Sequence, residues 1–188
     1  MNSCSKLFIL DEQGFIQSLK KVESPNFDNR PKNMEIDLIV IHSISLPPNK
    51  FGGPYIENFF QNKLDSTKHS YFETIKDLKV SSHFLIKRSG EILQFVSCKN
   101  RAWHAGKSSW KNKRNCNDFS IGIELEGTDH ESFENEQYMK LINLIKCLCE
   151  NYPISDIVGH NQIAPQRKTD PGPLFNWNLI NLEKIHEK

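Results

Sequence analysis

The sequence lacks the features that mark membrane-spanning, exported or strongly charged proteins. No apolar run approaches the roughly 20 residues that a membrane helix needs. The apolar run at residues 7–10 is too short for a secretory signal, and Asp11 and Glu12 follow it at once. The formal net charge is +1, so no overall field attracts nucleic acid or an acidic membrane. We therefore expect a soluble chain without a nucleic-acid or membrane partner.

Cysteine is sparse, and its arrangement argues against a disulfide framework. The five cysteines are odd in number, and no two of them form a C-x-x-C pair. Cys147 and Cys149 fall within a predicted helix, where side chains two positions apart diverge. Free thiols in a reducing compartment fit this pattern best, so the sequence predicts a cytoplasmic location.

The length and composition indicate one globular domain. A chain of 188 residues can bury a core without staples, and it matches the usual size of a single domain. Apolar residues make up 37% and charged residues 25%, which is typical of folded rather than disordered chains. There is no internal repeat, low-complexity tract or interdomain linker. We expect one domain over residues 1–188, with about residues 1–33 as an N-terminal extension packed on it.

Hydrophobic patterning predicts the class of the fold. Continuous or alternating apolar runs predict strands at residues 36–43, 119–127 and 154–160, and a hairpin at 83–97 that turns at Ser89-Gly90. Apolar residues at three- and four-residue steps predict helices at 56–65, 134–152 and about 177–185. Polar, Pro- and Gly-bearing stretches predict loops at 23–33 and 46–54. The fold class is therefore α/β (α+β), a single domain with a mixed central sheet flanked by α-helices.

Two histidines and one aspartate could form a metal site. His42 and His160 each follow an apolar run, so both should emerge at strand ends, and neighbouring strands would bring them to one rim. Asp170 lies ten residues after His160 in a loop braced by prolines. Two histidines and a carboxylate form a known catalytic zinc set that leaves the fourth position to water. The spacing alone leaves open that these are three separate polar residues.

Three further charged residues could take part in catalysis or could be ordinary surface groups. Glu124 and Glu126 share one face of a predicted strand, and for Glu126 we favour a solvent-facing role. Glu124 lies deeper in the apolar run, where burial would raise its pKa toward the range of a general base. Lys168, two residues before Asp170, is either a surface lysine or a donor to a developing oxyanion.

The other histidines and the loop tryptophans have mainly structural interpretations. His69, His130 and His186 lie in polar contexts and are expected to be exposed. His83 begins a predicted strand and is expected to be a hydrogen-bonded structural residue. Trp103, on a Gly- and Ser-bearing loop, is either a lid on the core or a platform for sugar and peptide groups.

Five stretches together resemble the AmpD-type anhydromuramyl-peptide amidases, which belong to a wider zinc amidase group that is similar to peptidoglycan recognition proteins. In chain order they are VIHSISLPP, SSHFLIKRSGEILQ, RAWHAGKSSW, NDFSIGIELEGTD and GHNQIAPQRKTDPGP. The resemblance covers about residues 7–178. It implies a zinc amidase fold and an enzyme that cuts the amide between (1,6-anhydro)-N-acetylmuramic acid and L-alanine of imported muropeptides during cytoplasmic recycling of the cell wall. A monomer acting on a small-molecule substrate is expected.

The resemblance also implies roles for individual residues. The predicted Zn²⁺ ligands are His42, His160 and Asp170, the predicted general base is Glu124, and the predicted oxyanion donor is Lys168. Trp103 falls in the loop that lines the sugar and peptide cleft.

Three positions depart from the pattern of the group. Ser43 stands where close relatives often have Asn, and Lys79 and Asn115 stand where Arg is familiar, although Arg114 adjoins Asn115. All three are predicted substrate contacts, and Lys binds a carboxylate as a point charge rather than with the fork of Arg. The departures therefore bear on affinity and substrate breadth. Two alternatives stay open: an amidase acting on intact peptidoglycan, and a non-catalytic peptidoglycan-binding module.

Overall fold

A computed structural model describes residues 8–180 of the chain. Ten strands are present in this range: β1 (Lys20–Lys21), β2 (Phe27–Asn29), β3 (Leu38–Ile44), β4 (Phe84–Ile86), β5 (Ile92–Gln94), β6 (Asn100–Ala102), β7 (Ser109–Trp110), β8 (Lys113–Arg114), β9 (Ser120–Glu126) and β10 (Asp156–Gly159). Four α-helices accompany them: α1 (Tyr55–Phe60), α2 (Ser70–Ile75), α3 (Asn135–Asn151) and α4 (His160–Ile163).

A six-stranded mixed sheet forms the centre of the molecule, with the strand order β1-β5-β4-β9-β3-β10. All neighbours in this sheet are parallel except β4 and β5, which form the antiparallel hairpin predicted around Ser89-Gly90. Gly90 adopts a φ of 82°, a left-handed conformation that a glycine reaches without strain. The central strands β3 and β9 are covered on both faces, which explains the nearly continuous apolar sequence of β3. Strand β9 instead alternates apolar residues with serine, glycine and glutamate, although all seven of its residues are buried.

Alternate side chains of the strands enter different hydrophobic clusters. Phe84 and Ile86 of β4 pack in the cluster that contains the apolar face of α3. Leu85, between them, packs in a second cluster with α1 and α2. Helices therefore cover both faces of the sheet, and the predicted fold class is confirmed.

The predicted elements differ from the structure mainly at their ends. The helix predicted at 56–65 ends at Phe60, because Asn62 takes a positive φ of 58° that a helix cannot contain. The loop predicted at 23–33 contains β2, which pairs with β6 through a register that an Asp28–Arg101 ion pair reinforces. Only a short 3-10 turn, Trp177–Leu179, begins the helix predicted at 177–185, and residues 181–185 lie outside the described range.

The segment before β3 is held to the sheet by a buried arginine. Arg30 donates hydrogen bonds to the carbonyl oxygens of Cys98, Asn117, Asp118 and Ser120. Burial lowers the pKa of this guanidinium to about 10. The arginine thereby ties the N-terminal segment to the loop that precedes β9.

Two further features concern the cysteines and the helices. Cys98, Cys116 and Cys149 are free thiols. Among residues 8–180, no helix has the length and apolar character needed to cross a membrane.

Candidate metal centre

Parallel pairing brings three polar side chains to one edge of the sheet. His42 on β3 stands opposite Glu124 on β9 in the register of the two strands. Gly159, the last residue of β10, stands opposite Ile41, so His160 follows it at the same edge. The carboxyl ends of parallel strands meet at a common edge, which is where sites form in such sheets.

The loop after α4 carries Asp170 back to this edge. Asn161 donates its backbone N–H to the carbonyl oxygen of Asp170 at 2.9 Å, which joins the loop to the residue after His160. Gly159 allows the close approach, since a Cβ there would lie 2.7 Å from Cδ of Pro171. The loop that follows His160 is therefore folded tightly against the strand end.

Three donor atoms converge at this edge. His42 Nδ1 lies 2.9 Å from His160 Nδ1 and 3.1 Å from Asp170 Oδ2, and His160 Nδ1 lies 3.0 Å from Asp170 Oδ2. Among the described residues, His42, His160 and Asp170 form a group that could hold a metal ion. Tetrahedral zinc with bonds of about 2.0–2.1 Å places its ligand atoms about 3.3 Å apart, close to these separations.

The second ring nitrogen of each histidine also has a partner. His160 Nε2 lies 3.1 Å from the carbonyl oxygen of Ala105, and His42 Nε2 lies 2.9 Å from Nδ1 of His104. Metal-binding histidines usually make such outer contacts, which fix the ring orientation. No role for His104 could be predicted from the sequence, because no local pattern around it indicates one. Long-range packing brings this histidine to His42.

Burial and the short contacts shift the titration of the centre. Burial lowers the pKa of His42 to about 4, so its imidazole is neutral near pH 7. Burial alone would raise the pKa of Asp170, but the close contacts with His160 and His42 hold it well below its usual range. A neutral imidazole at His42 and an ionised carboxylate at Asp170 are the protonation states that metal binding requires of these two residues.

Glu124 faces the same centre with a free oxygen. Its Oε1 lies 4.0 Å from His42 Nδ1, and its Oε2 is buried without a hydrogen-bond partner among the described residues. Burial raises its pKa well above the ordinary value, the nearby Asp170 carboxylate adds to this effect, and Lys168 opposes it. A buried acceptor without a partner costs about 1–3 kcal/mol unless something binds to it, which indicates a water or substrate position.

The expectation that Glu126 faces solvent is wrong. This side chain is 4% exposed and accepts hydrogen bonds from the backbone N–H groups of Gly52, at 2.6 Å, and Arg88, at 3.1 Å. Strand β9 is covered on this face by the loop that contains Gly52, a long-range packing that alternation along the strand does not reveal. Glu126 therefore fastens a loop at the rim of the centre.

A cavity of about 300 Å³ opens beside the metal centre. Of the remaining predicted site residues, Lys168, Trp103 and Ser43 line it. Lys79 is exposed and is not one of its lining residues. Asn115 lines a separate cavity of about 950 Å³ together with Arg114 and Arg167. The structure thus brings three of these five residues to the cavity, including one of the three departures.

The remaining histidines can be placed from the structure. His83 is fully buried, accepts the N–H of Gly122 at Nδ1 and lies 3.1 Å from the Asn100 carbonyl at Nε2, a structural arrangement. His69 and His130 are exposed. His186 lies outside the described residues.

The residues present fit a zinc ion. Two imidazoles and a carboxylate converge, and the unpartnered Oε2 of Glu124 shows where a further polar group belongs. Three protein ligands with a fourth position left open are typical of catalytic rather than structural zinc.

Comparison with known proteins agrees with this geometry. The family model for N-acetylmuramoyl-L-alanine amidase matches residues 32–173. The chain belongs to this amidase family. The 1,6-anhydro-N-acetylmuramyl-L-alanine amidase AmpD of Haemophilus influenzae is 47% identical over 169 residues, which cover 88% of this chain and 92% of that protein.

Solved structures of amidases show the same fold. The crystal structure of a Se-Met AmpD derivative superposes with a TM-score of 0.89 at 46% identity, covering 94% of this chain and 98% of that one. The amidase AmiD from E. coli, in complex with the substrate anhydro-N-acetylmuramic acid-L-Ala-D-gamma-Glu-L-Lys, has a TM-score of 0.57 at 32% identity, covering 84% of this chain and 60% of that one. The predicted resemblance to AmpD-type amidases is confirmed.

Proposed function

We propose that this amidase uses Zn²⁺ to cleave the amide bond between (1,6-anhydro)-N-acetylmuramic acid and L-alanine of muropeptides, in cytoplasmic peptidoglycan recycling. This proposal rests mainly on one observation: the donor atoms of His42, His160 and Asp170 form a triangle beside the unpartnered oxygen of Glu124. The near full-length similarity to AmpD of Haemophilus influenzae supports the substrate. The free thiols support the cytoplasmic location.

The proposed chemistry divides between the ion and the chain. When bound at this centre, Zn²⁺ would supply a Lewis acid for the scissile carbonyl and would lower the pKa of a bound water to about 7. His42, His160 and Asp170 would hold it with the three donor atoms that face one another. The carboxylate of Asp170 offsets part of the positive charge.

Glu124 is the proposed general base. Its buried position and raised pKa suit a group that takes a proton near neutral pH and then returns it. The free Oε2 can accept the proton of the attacking water. The protonated carboxyl can then donate to the nitrogen of the leaving L-alanine, which completes the proton transfer without another residue.

Lys168 is the proposed oxyanion donor. It lines the cavity beside Asp170, and its ammonium is one of the charges that act on Glu124. As the carbonyl carbon becomes tetrahedral, negative charge develops on its oxygen, and a cation at the rim stabilises that charge. A single donor of this kind typically contributes about 2.7–4 kcal/mol to the transition state.

The cavity has one apolar wall that suits a sugar ring. Trp103, Phe59, Ile75 and Leu78 line it, and amphipathic or apolar side chains bind the apolar face of a carbohydrate. We propose that Trp103 and Ser43 contact the substrate there. Contacts from Lys79 and Asn115 stay predictions, because neither residue lines this cavity.

The proposed organisation of the protein is simple. We propose that residues 1–188 act as one zinc amidase domain, with about residues 1–33 as an extension packed on it. Ile16 is fully buried, and β1 pairs with β5, which supports this arrangement. We propose a monomer that acts on a small molecule. A net charge of +1 supports the absence of a nucleic-acid or membrane partner, because no overall field would attract one.

Mass spectrometry of a digested anhydromuramyl-tripeptide tests the proposed activity. We expect release of the free tripeptide and the anhydro sugar, loss of release after prolonged chelation, and recovery when Zn²⁺ is added back, because the donor atoms of His42, His160 and Asp170 converge on one position. Purified sacculi in a parallel digest provide the comparison.

The two substrates separate the proposed function from its alternatives. Faster release from sacculi than from the soluble muropeptide would favour an amidase of intact peptidoglycan. Binding of the muropeptide without cleavage, unaffected by chelator, would favour a non-catalytic binding module and would contradict the proposal.

A further inference from the structure

A chain of hydrogen bonds runs from His42 away from the metal centre into the core. His42 Nε2 lies 2.9 Å from His104 Nδ1, and His104 Nε2 lies 3.2 Å from Oγ of Ser120. Ser120 Oγ donates in turn to the carbonyl oxygen of Cys116 at 2.5 Å. All four residues are buried, so each polar atom depends on its partner in this chain.

The far end of the chain fixes the direction of every bond. The Cys116 carbonyl can only accept, so the Ser120 hydroxyl proton is used there and Oγ is left to accept from His104 Nε2–H. A neutral imidazole carries one proton, so His104 Nδ1 must accept from Nε2–H of His42. This arrangement leaves a lone pair on His42 Nδ1, the atom that faces His160 and Asp170.

Ala105, the residue after His104, fixes the tautomer of His160 in the same way. The Ala105 carbonyl, which can only accept, lies 3.1 Å from Nε2 of His160 and so places the proton there and the lone pair on Nδ1. The backbone N–H groups of His104 and Ala105 both donate to Oδ1 of Asn117, at 3.1 and 2.7 Å. One rigid loop therefore presents both acceptors.

Strand β9 leaves the space that the His104 ring occupies. A Cβ at Gly122 would lie 2.5 Å from Cγ and 2.6 Å from Nδ1 of His104, distances that real Cβ contacts do not show. The His104 ring is thus held between Gly122, which has no side chain, and the ring of His42.

We propose that His104 is a positioning residue that selects the tautomer of His42 and so keeps its Nδ1 lone pair available to the metal. This inference rests on the proposed function in taking zinc as the ion. Asp170 Oδ2, 3.1 Å from His42 Nδ1, favours the opposite tautomer in the metal-free protein. Without His104 as an acceptor, the His42 proton moves from Nε2 to Nδ1 and donates to Asp170, and a metal ion must displace it.

Nuclear magnetic resonance of the metal-free protein, labelled with ¹⁵N at histidine, tests the tautomer directly. Long-range ¹H–¹⁵N correlations should show the His42 proton on Nε2 in the wild type and on Nδ1 in His104→Leu. His104→Asn can place an amide oxygen near the position of Nδ1, so it should keep the proton on Nε2.

Zinc affinity, measured by competition with a chromogenic chelator, supplies a second readout. The dissociation constant should rise about 10–100-fold in His104→Leu and stay within about threefold of wild type in His104→Asn. Gly122→Ala, which displaces the ring without removing it, should also weaken zinc binding. His69→Asn, at an exposed histidine outside the cavity, is the matched control and should bind zinc as the wild type does.

Three outcomes would overturn the inference. They are a His42 proton on Nδ1 in the wild type, unchanged zinc affinity in His104→Leu, and equal weakening in His104→Leu and His104→Asn. The last would show that ring shape matters and the acceptor does not. The tautomer is read without metal or substrate, so its failure is distinguishable from a protein that binds zinc but does not cleave muropeptide.

Discussion

Glu124→Gln is expected to retain zinc and to lose turnover by about 10²–10⁴-fold, the usual contribution of a general base. The amide has nearly the same shape as the carboxyl, but it cannot take a proton from water near neutral pH. Because Glu124 lies beside the three donor atoms without belonging to them, the metal content should be unchanged. Steady-state kinetics on anhydromuramyl-tripeptide, with elemental analysis of the same sample, measures both quantities.

Glu126→Gln is the matched control for this prediction. Glu126 lies two residues further along the same strand face, but its oxygens bind the backbone N–H groups of Gly52 and Arg88. Replacing one acceptor oxygen should lower the free energy of unfolding by about 1–3 kcal/mol and leave most turnover intact. A Glu124→Gln enzyme as active as Glu126→Gln would exclude Glu124 as the base.

Asp170→Ala is expected to abolish metal retention and, with it, activity. The change removes the only carboxylate of the predicted ligand set and leaves two imidazoles to hold a divalent cation. Buried within the centre, these imidazoles have no other carboxylate oxygen within 3.5 Å of Nδ1 in the described part of the chain. Elemental analysis after dialysis against metal-free buffer measures the loss.

Asp129→Ala provides the comparison for Asp170→Ala. Asp129 is a half-buried carboxylate at the neighbouring rim, outside the group of converging donors. The Asp129→Ala variant should retain zinc at the wild-type level under the same dialysis. Retention of zinc by Asp170→Ala, or its loss from both variants, would contradict the proposed ligand set.

The parts of the fold that the sequence predicted are those with strong local patterns. The apolar run that forms β3, the seventeen-residue helix α3 and the Ser89-Gly90 hairpin each carry a periodicity or a turn signal of their own. Strands β1 and β2, of two and three residues, were missed because so short a segment has no readable period. Their pairing depends on distant partners: Lys20 pairs with Leu93, 73 residues away, and Phe27 pairs with Ala102, 75 residues away.

The residues of the candidate site likewise divide into those that the sequence could predict and those that it could not. His42 and His160 could be placed at strand ends from the sequence, and parallel pairing then brings them together. The burial of Glu126 and the contact of His104 with His42 could not be predicted, because both arise where a distant loop folds over the sheet edge. Motif resemblance identified the family but did not reveal that Lys79, unlike its neighbours Leu78 and Val80, does not line the cavity.

The most direct test of the metal centre is the zinc content of purified, active enzyme, measured by inductively coupled plasma mass spectrometry against protein concentration. We expect about one zinc ion per chain, with turnover rising in proportion to zinc across partly depleted samples, because the proposed ligands His42, His160 and Asp170 form one set of three donors among the described residues. Fully active enzyme that contains no transition metal would contradict the proposed centre.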